Sequence, residues 1–271
     1  MKSEEIKKFY KGFADKILER RFYSPYTLRR YFHQQRYSSI LKYLKTDDKV
    51  LEVGCGEGIL SVFAAQKGVQ ITALDISRPN LEAAKKFAEE QGVERNIKFI
   101  ESDAENLPFP DNSFDMVIAD NILEHLPNFE KGLSEIRRVT RKNAIIALPT
   151  CLNPCGWCLL GGDIYWKITR RTPYAIFWGF LRVLLGVLLG RKGVNEWYGG
   201  VKGIPHLWRY PWVMKKELKE AGFKIVSFEP ISIYLPYLVF LLPLIKFLDK
   251  YKTKPILKNF GHGSIAYLEK V

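Results

Sequence analysis

A glycine-rich loop near the start of the chain constrains the fold most strongly. The sequence VLEVGCGEG occupies Val50–Gly58, after an apolar segment and before a segment with helical spacing. Glycines in this context let the backbone approach a bound ligand closely. Their spacing is GxGxG, and Ile59 stands where the dinucleotide-binding pattern GxGxxG requires its third glycine. The loop therefore favours S-adenosylmethionine over NAD as the cofactor.

An acidic residue follows at the end of the second predicted strand. Asp75 lies in the sequence TALDIS, 21 residues after Gly54. From this position its carboxylate can accept hydrogen bonds from both hydroxyls of a ribose. The alternative is a solvated aspartate in an ordinary turn at the end of a strand.

Short apolar runs alternate with longer amphipathic runs over the first 150 residues, and the alternation predicts the fold class. Strands are predicted at Lys49–Val53, Gln70–Leu74, Ile97–Glu101, Asp115–Ile118 and Ala144–Leu148, and helices at Leu60–Lys67, Asn80–Gln91 and Phe129–Arg138. Later in the chain the pattern resumes with a helix at Pro211–Ala221 and strands at Phe223–Phe228 and Ser264–Glu269. Strands and helices in alternation indicate a doubly wound α/β domain with a mostly parallel, seven-stranded sheet covered on both faces.

We divide the chain into one such core with a cover and two insertions. The predicted segments are an N-terminal helical cover at 1–45, an α/β core at 46–150, an apolar insertion at 151–205, the resumed core at 206–230, a second apolar insertion at 231–258 and a last core strand within 259–271. The cover is interpreted as two or three helices rich in Tyr, Phe and Arg that can close over the cofactor cleft.

The second half of the chain combines positive charge with two apolar segments. Residues 151–271 carry 18 lysines and arginines against 7 acids, whereas residues 1–150 carry 24 against 22. The apolar segments are Ala175–Gly190 and Ile231–Leu248, each with about 15 nearly uncharged residues, short of the ~20 that a helix needs to span a bilayer. Their basic flanks are Arg170, Arg171, Arg191, Lys192, Lys246, Lys250, Lys252 and Lys254.

Apolar segments with basic flanks predict association with an anionic membrane surface. The alternative is that the two segments form an internal lid or a subunit interface. A nucleic-acid partner is not expected, because such grooves interleave basic and aromatic residues without long aliphatic runs. The first residues, Met1–Gly12, contain no secretory or transit signal, so we expect a cytoplasmic protein that is peripherally membrane-associated. The oligomeric state is left open.

Three cysteines fall close together in the first insertion. Cys151, Cys155 and Cys158 have the CxxxCxxC spacing by which radical S-adenosylmethionine enzymes hold an iron–sulfur cluster. Here the motif follows the fifth strand of a chain that already has another cofactor loop. We interpret these residues as buried free cysteines in an apolar segment and predict no metal site.

Two further segments show a resemblance to a known superfamily. Glu101–Asp120 reads ESDAENLPFPDNSFDMVIAD and Asn121–Asn128 reads NILEHLPN. Together with EIRRV at Glu135–Val139 and the segment His206–Phe223, they resemble class I S-adenosylmethionine-dependent methyltransferases, especially the branch with quinone, sterol and small-lipid methyltransferases. The resemblance covers most of residues 48–150 and 206–229. The chain departs from it before the fifth strand, where Arg141–Asn143 replaces a glycine-rich turn.

The resemblance assigns roles to individual residues. It implies that the loop glycines contact the cofactor through their backbone, that Glu52 binds its methionine end and that Asp75 binds its ribose. It implies that Asp103 and Ala104 face the adenine and that Asp120 and Asn121 lie beside the sulfonium. The full predicted cofactor set is Glu52, Gly54, Gly56, Gly58, Asp75, Asp103, Ala104, Asp120 and Asn121.

Methyl transfer requires alignment of donor and acceptor, and a base only when the acceptor must lose a proton. His125 and His206 are the candidate catalytic residues, although either can be a structural histidine. The function predicted from the sequence is methyl transfer from S-adenosylmethionine to a lipophilic acceptor, such as an isoprenoid, a quinone precursor or a lipid, at a membrane surface. The alternatives are a soluble small-molecule acceptor with the insertions as a lid, and a non-catalytic binding protein of the same fold.

Overall fold

The structure is a computed structural model that describes residues 22–164, 167–196, 206–233, 238–255 and 257–271. Its elements in chain order are α1 (Thr27–Leu41), β1 (Val50–Val53), α2 (Ile59–Gln66), β2 (Ile71–Asp75), α3 (Arg78–Glu90), β3 (Ile97–Glu101), β4 (Phe114–Asp120), α4 (Phe129–Val139), β5 (Thr140–Leu148), α5 (Pro154–Leu160), α6 (Thr172–Leu188), β6 (Gly193–Asn195), β7 (Leu207–Arg209), α7 (Pro211–Glu220), β8 (Phe223–Pro230), α8 (Leu242–Asp249) and β9 (Ser264–Lys270). Short 3-10 turns lie at Glu94–Asn96, Leu123–His125, Val239–Leu241 and Leu257–Asn259.

Seven strands form one sheet in the order β3-β2-β1-β4-β5-β9-β8. The neighbours from β3 to β5 are parallel, and β9 runs antiparallel to both β5 and β8. The chain reverses its direction across the sheet between β1 and β4, the place where doubly wound folds bind ligands beyond the carboxyl ends of their strands. The predicted α/β fold with a mostly parallel seven-stranded sheet is confirmed.

The sheet has a core on each face because successive side chains of a strand point to opposite sides. Val50 of β1 packs in the cluster that includes α2, whereas Leu51 and Val53 pack in the cluster that includes Ile136 of α4 and Met214 of α7. Every residue of β1 is buried. A short, wholly buried central strand explains why the sequence shows an uninterrupted apolar run around Glu52 instead of an alternation.

The fifth strand begins earlier than predicted. β5 follows α4 directly at Thr140, so Arg141 and Lys142 lie within the strand, where the resemblance implies a glycine-rich turn. Both side chains form ion pairs with Asp115 of β4, and the register between β4 and β5 shifts in this region. These pairs hold the pKa of the Asp115 carboxyl well below its usual value. The extended strand and its ion pairs take the place of the turn.

The first insertion contains two packed helices and a small two-stranded sheet. α5 and α6 approach closely because small residues lie between them: a Cβ added at Gly161 or Gly179 would overlap the backbone of the other helix. The strands β6 and β7 then pair antiparallel and return the chain to the core. The sequence analysis assigned no secondary structure to this segment; in the structure Gly179 and Gly186 lie on the buried face of α6.

The N-terminal cover and the second insertion are each represented by one α-helix in the described residues. α1 packs against α2 through buried side chains such as Leu28, Phe32 and Ile40. The other helices predicted for the cover fall in 1–21, outside the described residues. α8 packs on the same cluster through Ile245. Within the residues described, no helix is long and apolar enough to cross a membrane.

Candidate active site

The glycine loop after β1 turns through three left-handed residues. Gly54, Gly56 and Gly58 have φ angles of 74°, 54° and 72°. A Cβ added at Gly54 would meet the side chain of Ile122, and one added at Gly58 would meet Ala84. A Cβ at Gly56 would meet no atom within 4 Å. Packing therefore requires two of the glycines, whereas Gly56 borders open space that a ligand can occupy.

Asp75 fixes the shape of this loop from the end of β2. Its Oδ2 accepts a hydrogen bond from the backbone N–H of Gly56 at 2.8 Å, and its Oδ1 accepts from the backbone N–H of Ser77 at 2.8 Å and from Nδ2 of Asn80 at 3.3 Å. The carboxylate is buried, and burial raises its pKa. The sequence predicted Asp75 at the end of the second strand, which is where it lies. Its role toward a ribose stays a prediction.

Glu52 lies in the middle of β1 and is buried. Its carboxylate accepts a hydrogen bond from the hydroxyl of Ser61 in α2. Burial, with smaller contributions from Asp120 and Asp75, raises the pKa of Glu52 to about 8. A buried acid of this kind is a strong site for a bound cation, because a positive charge restores the ionised form.

Two residues at the end of β4 connect the glycine loop to the rest of the site. Asp120 forms an ion pair with Arg36 of α1, with Oδ2 and Nε 3.3 Å apart and both side chains more than 90% buried. Asn121 adopts a left-handed conformation with φ 55°, held by its N–H donating to the carbonyl of Ala147. Its buried Oδ1 has no hydrogen-bond partner among the described residues. Asparagine tolerates this conformation better than most residues.

Asp103 and Ala104 lie just beyond β3, one strand further from the centre of the sheet. β3 pairs with β2 so that Glu101 is opposite Asp75, which places both residues at the same edge as the loop. Asp103 accepts a hydrogen bond from the N–H of Glu105, and Ala104 is buried. All nine predicted cofactor residues thus lie at the carboxyl ends of strands β1 to β4 or just beyond them, except Glu52, which lies within β1. Their contacts with a cofactor stay predictions.

A cavity of about 180 Å³ adjoins this edge of the sheet on the β5 side. All four histidines of the chain line it, and they come from four separate segments. Aromatic rings contact one another around the cavity. The ring centroids of His125 and His206 are 4.6 Å apart, and those of Trp208 and His262 are 5.3 Å apart. Its remaining lining residues are Arg29, Phe32, His33, Arg36, Asn121, Glu124, Pro149, Leu159, Glu196 and Gly263.

The structure therefore brings the two predicted catalytic histidines together. Asn121 is the one predicted cofactor residue that also lines the cavity, so it marks the border between the glycine-loop side and the histidine side. Sequence reasoning missed His33 and His262, because residues from α1 and from the turn before β9 share no local pattern with the LEHL segment.

Glu124 is a third residue that sequence reasoning missed. Its side chain is fully buried beside the cavity, with Oε1 3.9 Å from Nε2 of His125. Burial raises its pKa to about 7, against the opposing effect of nearby His206. Neither carboxylate oxygen accepts a hydrogen bond within the described part of the chain. The only available signal was its position next to His125 in the sequence.

The three cysteines of the first insertion are free and buried, and they divide between two apolar clusters. Cys151 packs with Trp208 and Tyr210, whereas Cys155 and Cys158 pack in the cluster under the sheet. Burial raises the pKa of Cys151 to about 12 and that of Cys155 well above its usual value. These environments favour protonated thiols, which are poor metal ligands.

The fold and the loop together define a class of protein. Residues 51–148 match the sequence model of a family described as a methyltransferase domain. This segment is a methyltransferase domain of the class I S-adenosylmethionine-dependent superfamily, and the resemblance found in the sequence is confirmed.

Curated relatives match over the same part of the chain. A sterol 24-C-methyltransferase from Gibberella zeae is 38% identical over 106 residues, which cover 39% of this chain and 28% of the relative. The 27-O-demethylrifamycin SV methyltransferase of Amycolatopsis mediterranei is 34% identical over 106 residues, 39% of each chain. The chain thus matches only about a quarter to two-fifths of the length of these relatives.

Solved structures resemble most of the chain at low sequence identity. Magnesium protoporphyrin IX methyltransferase from Synechocystis PCC 6803, solved with bound SAH, has a TM-score of 0.61 at 17% identity and covers 99% of both chains. A protein described as the [4+2]-cyclase SpnF has a TM-score of 0.55 at 19% identity, covering 87% of this chain and 81% of its own. These likenesses show the fold, and the second demonstrates that the fold by itself does not define methyl transfer.

The open space at Gly56 leads to a prediction about S-adenosylmethionine binding. Gly56→Ala should weaken binding at least about tenfold, because the added methyl group occupies the space left for the ligand. Gly92→Ala is the matched control, since Gly92 also has a positive φ, 67°, and open space around its Cα. Both variants should lose about 1 to 2 kcal/mol of stability from the left-handed backbone. Equal affinity of the two variants in calorimetry would contradict the assignment.

The raised pKa of Glu52 predicts how binding depends on pH. The predicted contact between Glu52 and the ammonium group would favour the ionised carboxylate, so we expect the pKa of Glu52, which is about 8 in the free protein, to be lower in the complex. Binding then releases a proton below pH 8, and affinity for S-adenosylmethionine should rise from about pH 6 to about pH 7.5, by up to about tenfold per unit. Glu52→Gln should bind more weakly and show a smaller slope. A slope unchanged by this substitution would assign the proton to another group.

Proposed function

We propose that this protein transfers a methyl group from S-adenosylmethionine to a lipophilic acceptor that it reaches at a membrane surface. The methyltransferase domain and its glycine loop support the first part. The second part is supported by an exposed apolar face on the first insertion. The same insertion borders the histidine-lined cavity through Leu159.

The residues around the loop fit a cationic cofactor. Gly56 leaves room for a ligand against the backbone, and the buried carboxylate of Glu52 suits the ammonium group of the methionine moiety. When bound, S-adenosylmethionine supplies an electrophilic methyl group on a positively charged sulfur. In this proposal the cofactor contacts are Glu52, Gly54, Gly56, Gly58, Asp75, Asp103, Ala104, Asp120 and Asn121.

The histidines act on the acceptor side. His125 and His206 line the cavity beside Asn121, next to the residue proposed to lie at the sulfonium. An acceptor hydroxyl in this cavity would be within reach of an imidazole that removes its proton during transfer. Nδ1 of His206 lies 3.2 Å from Oε2 of Glu196, so a carboxylate adjoins this ring. We assign catalytic roles to both histidines on this basis.

The acceptor class is inferred from the outer face of α6. Six apolar side chains follow one another at helical spacing along this face, and each is between 41% and 71% exposed. We call this set the apolar stripe: Tyr174, Phe177, Trp178, Leu184, Leu185 and Leu188. The opposite face packs inward through small residues such as Ala175, Gly179 and Gly186. A continuous exposed stripe of this size is typical of a surface that contacts a membrane or another apolar partner.

Charges at α6 favour an anionic membrane over an apolar protein partner. Arg170 and Arg171 are exposed just before the helix, and Arg191 is exposed just after it. Arg182 lies within the helix, but its guanidinium turns away from the stripe and donates to the backbone carbonyls of Leu160 and Asn195. The stripe therefore contains no charge and has cations near both ends, as at the headgroup region of a bilayer.

The insertion also connects the stripe to the cavity. Leu159 of α5 lines the cavity, and α5 packs directly on α6. Trp208 contributes to the same wall and packs in one cluster with Val183 of α6. An acceptor that leaves a bilayer beneath α6 would therefore reach the histidines along the insertion. Relatives named for sterol and rifamycin substrates support a lipophilic acceptor.

Activity is tested with methyl-labelled S-adenosylmethionine and vesicles that carry a total lipid extract. We expect label in the organic phase, and we expect His206→Gln to lower the rate at least about tenfold while the dissociation constant for S-adenosylmethionine stays within about threefold. Label that appears only in a pool of water-soluble small molecules would favour the soluble acceptor. Tight binding without transfer to either pool would favour a non-catalytic binding protein.

Membrane association is tested by co-sedimentation with vesicles that contain anionic lipid. The protein should sediment, and raising salt from about 0.05 to about 0.5 M should weaken binding without abolishing it, because screening affects only the basic residues. Replacing Leu184, Leu185, Leu188 and Leu189 by Ser should reduce binding even at low salt. The control replaces two exposed valines outside the insertions, Val226 and Val271, and should sediment like the parent. A parent protein that stays in the supernatant would overturn the membrane proposal.

A further inference from the structure

The cavity contains a group of side chains with metal-ligand chemistry. One ligand atom each from Glu124, His125 and His206 lies within 4.8 Å of the other two. Among the residues that the structure describes, no other trio of His, Cys, Asp or Glu side chains meets this condition. Two of the ligands lie in the turn after β4, and the third lies just before β7. The sheet edge and the first insertion thus bring the three together.

The state of Glu124 points independently to a bound cation. Its side chain has no solvent exposure, and neither of its oxygens accepts a hydrogen bond within the described residues. A carboxylate removed from water without hydrogen bonds costs several kcal/mol unless a positive charge lies nearby. A metal ion at this position satisfies both oxygens and compensates the charge.

A second carboxylate is placed to orient one of the histidines. Oε2 of Glu196 lies 3.2 Å from Nδ1 of His206, and the same oxygen accepts a hydrogen bond from Nε1 of Trp208 at 2.6 Å. Histidines that bind metals usually direct their second ring nitrogen to a carboxylate in this way. Glu196 lies on the Nδ1 side of the His206 ring and can orient this ring when a metal is bound.

We propose that Glu124, His125 and His206 bind one divalent transition-metal ion of the zinc class, with a further coordination position open to the cavity. Two imidazoles and one carboxylate form a donor set that favours zinc over magnesium or calcium, which prefer oxygen ligands alone. Zinc–nitrogen bonds are about 2.0 to 2.1 Å long, so the three side chains must draw together by roughly 1 Å through side-chain rotation. The cavity provides space for water or for an oxygen of the acceptor as the next ligand.

This inference departs from the expectation, formed from the sequence, that no metal is bound. The sequence directed attention to the cysteines, whereas the structure separates Cys151 from Cys155 and Cys158 and buries all three. Metal binding at the histidines requires neither methyl transfer nor a membrane. It can therefore be measured without S-adenosylmethionine, and its outcome is separate from that of the proposed function.

The test uses the full chain after dialysis against a chelator. Zinc is titrated by calorimetry, and cobalt(II) is added in parallel to record its visible spectrum. Glu124→Gln and His206→Gln should each weaken zinc binding at least about 100-fold, and Glu196→Gln should weaken it about 10- to 100-fold, as expected for a residue that only positions a ligand. His262→Gln, which removes a cavity histidine outside the group, should change the affinity less than about threefold.

Two further measurements decide between the two candidate sites. Replacing Cys151, Cys155 and Cys158 together by Ser should leave zinc affinity unchanged, and the cobalt spectrum should lack a thiolate charge-transfer band. Zinc should raise the melting temperature of the parent but not that of Glu124→Gln. This substitution retains the shape of the buried side chain, and circular dichroism checks that the variant is folded. The proposal is overturned if the parent binds no zinc, if the glutamine variants bind as the parent does, or if the cysteine variant loses the metal.

Discussion

The ion pair between Arg36 and Asp120 is the interaction on which both sides of the site depend. Asp120 ends β4 at the centre of the sheet, and Arg36 belongs to α1, which lies over the carboxyl ends of the strands. Both groups are buried, and Arg36 also donates to the hydroxyl of Tyr37 at 3.0 Å. Loss of either partner leaves a buried charge without compensation, which typically costs 3 to 5 kcal/mol. The pair therefore anchors α1 as one wall of the cavity.

The same pair also sets the electrostatics on the cofactor side. Asp120 adds to the raised pKa of Glu52, whereas Arg36 opposes it. Arg36 also lowers the pKa of His262 across the cavity, in addition to the larger effect of burial, so that this pKa falls to about 3. His262 therefore stays neutral at physiological pH. One buried cation thus acts on an acid beside the glycine loop and on a histidine in the cavity.

The sequence predicted the parts of the structure that depend on local patterns. The five strands and three helices of residues 49–148 agree with the structure to within a few residues, because alternating buried strands and amphipathic helices give regular apolar spacing. The loop glycines and Asp75 were found for the same reason, since their spacing is local. The sequence did not identify Glu124, His33 and His262. These residues are close only because of how α1, β4 and β9 are arranged in space. No helix was assigned at α6, whose glycine at position 179 permits close packing on α5 but is unfavourable in an isolated helix.

The distribution of buried charge suits a reaction in which the cofactor loses a positive charge. Glu52, Asp75 and Asp120 are buried around the loop, and Arg36 is paired with one of them. In the proposed function, Glu52 lies near the ammonium group of S-adenosylmethionine and Asp120 lies near its sulfonium group. After transfer the sulfur is a neutral thioether, so the product retains only the ammonium charge and interacts less strongly with these acids. For the function proposed above, this difference favours binding of the substrate over the product, and it arises from side chains whose charges the fold keeps away from water.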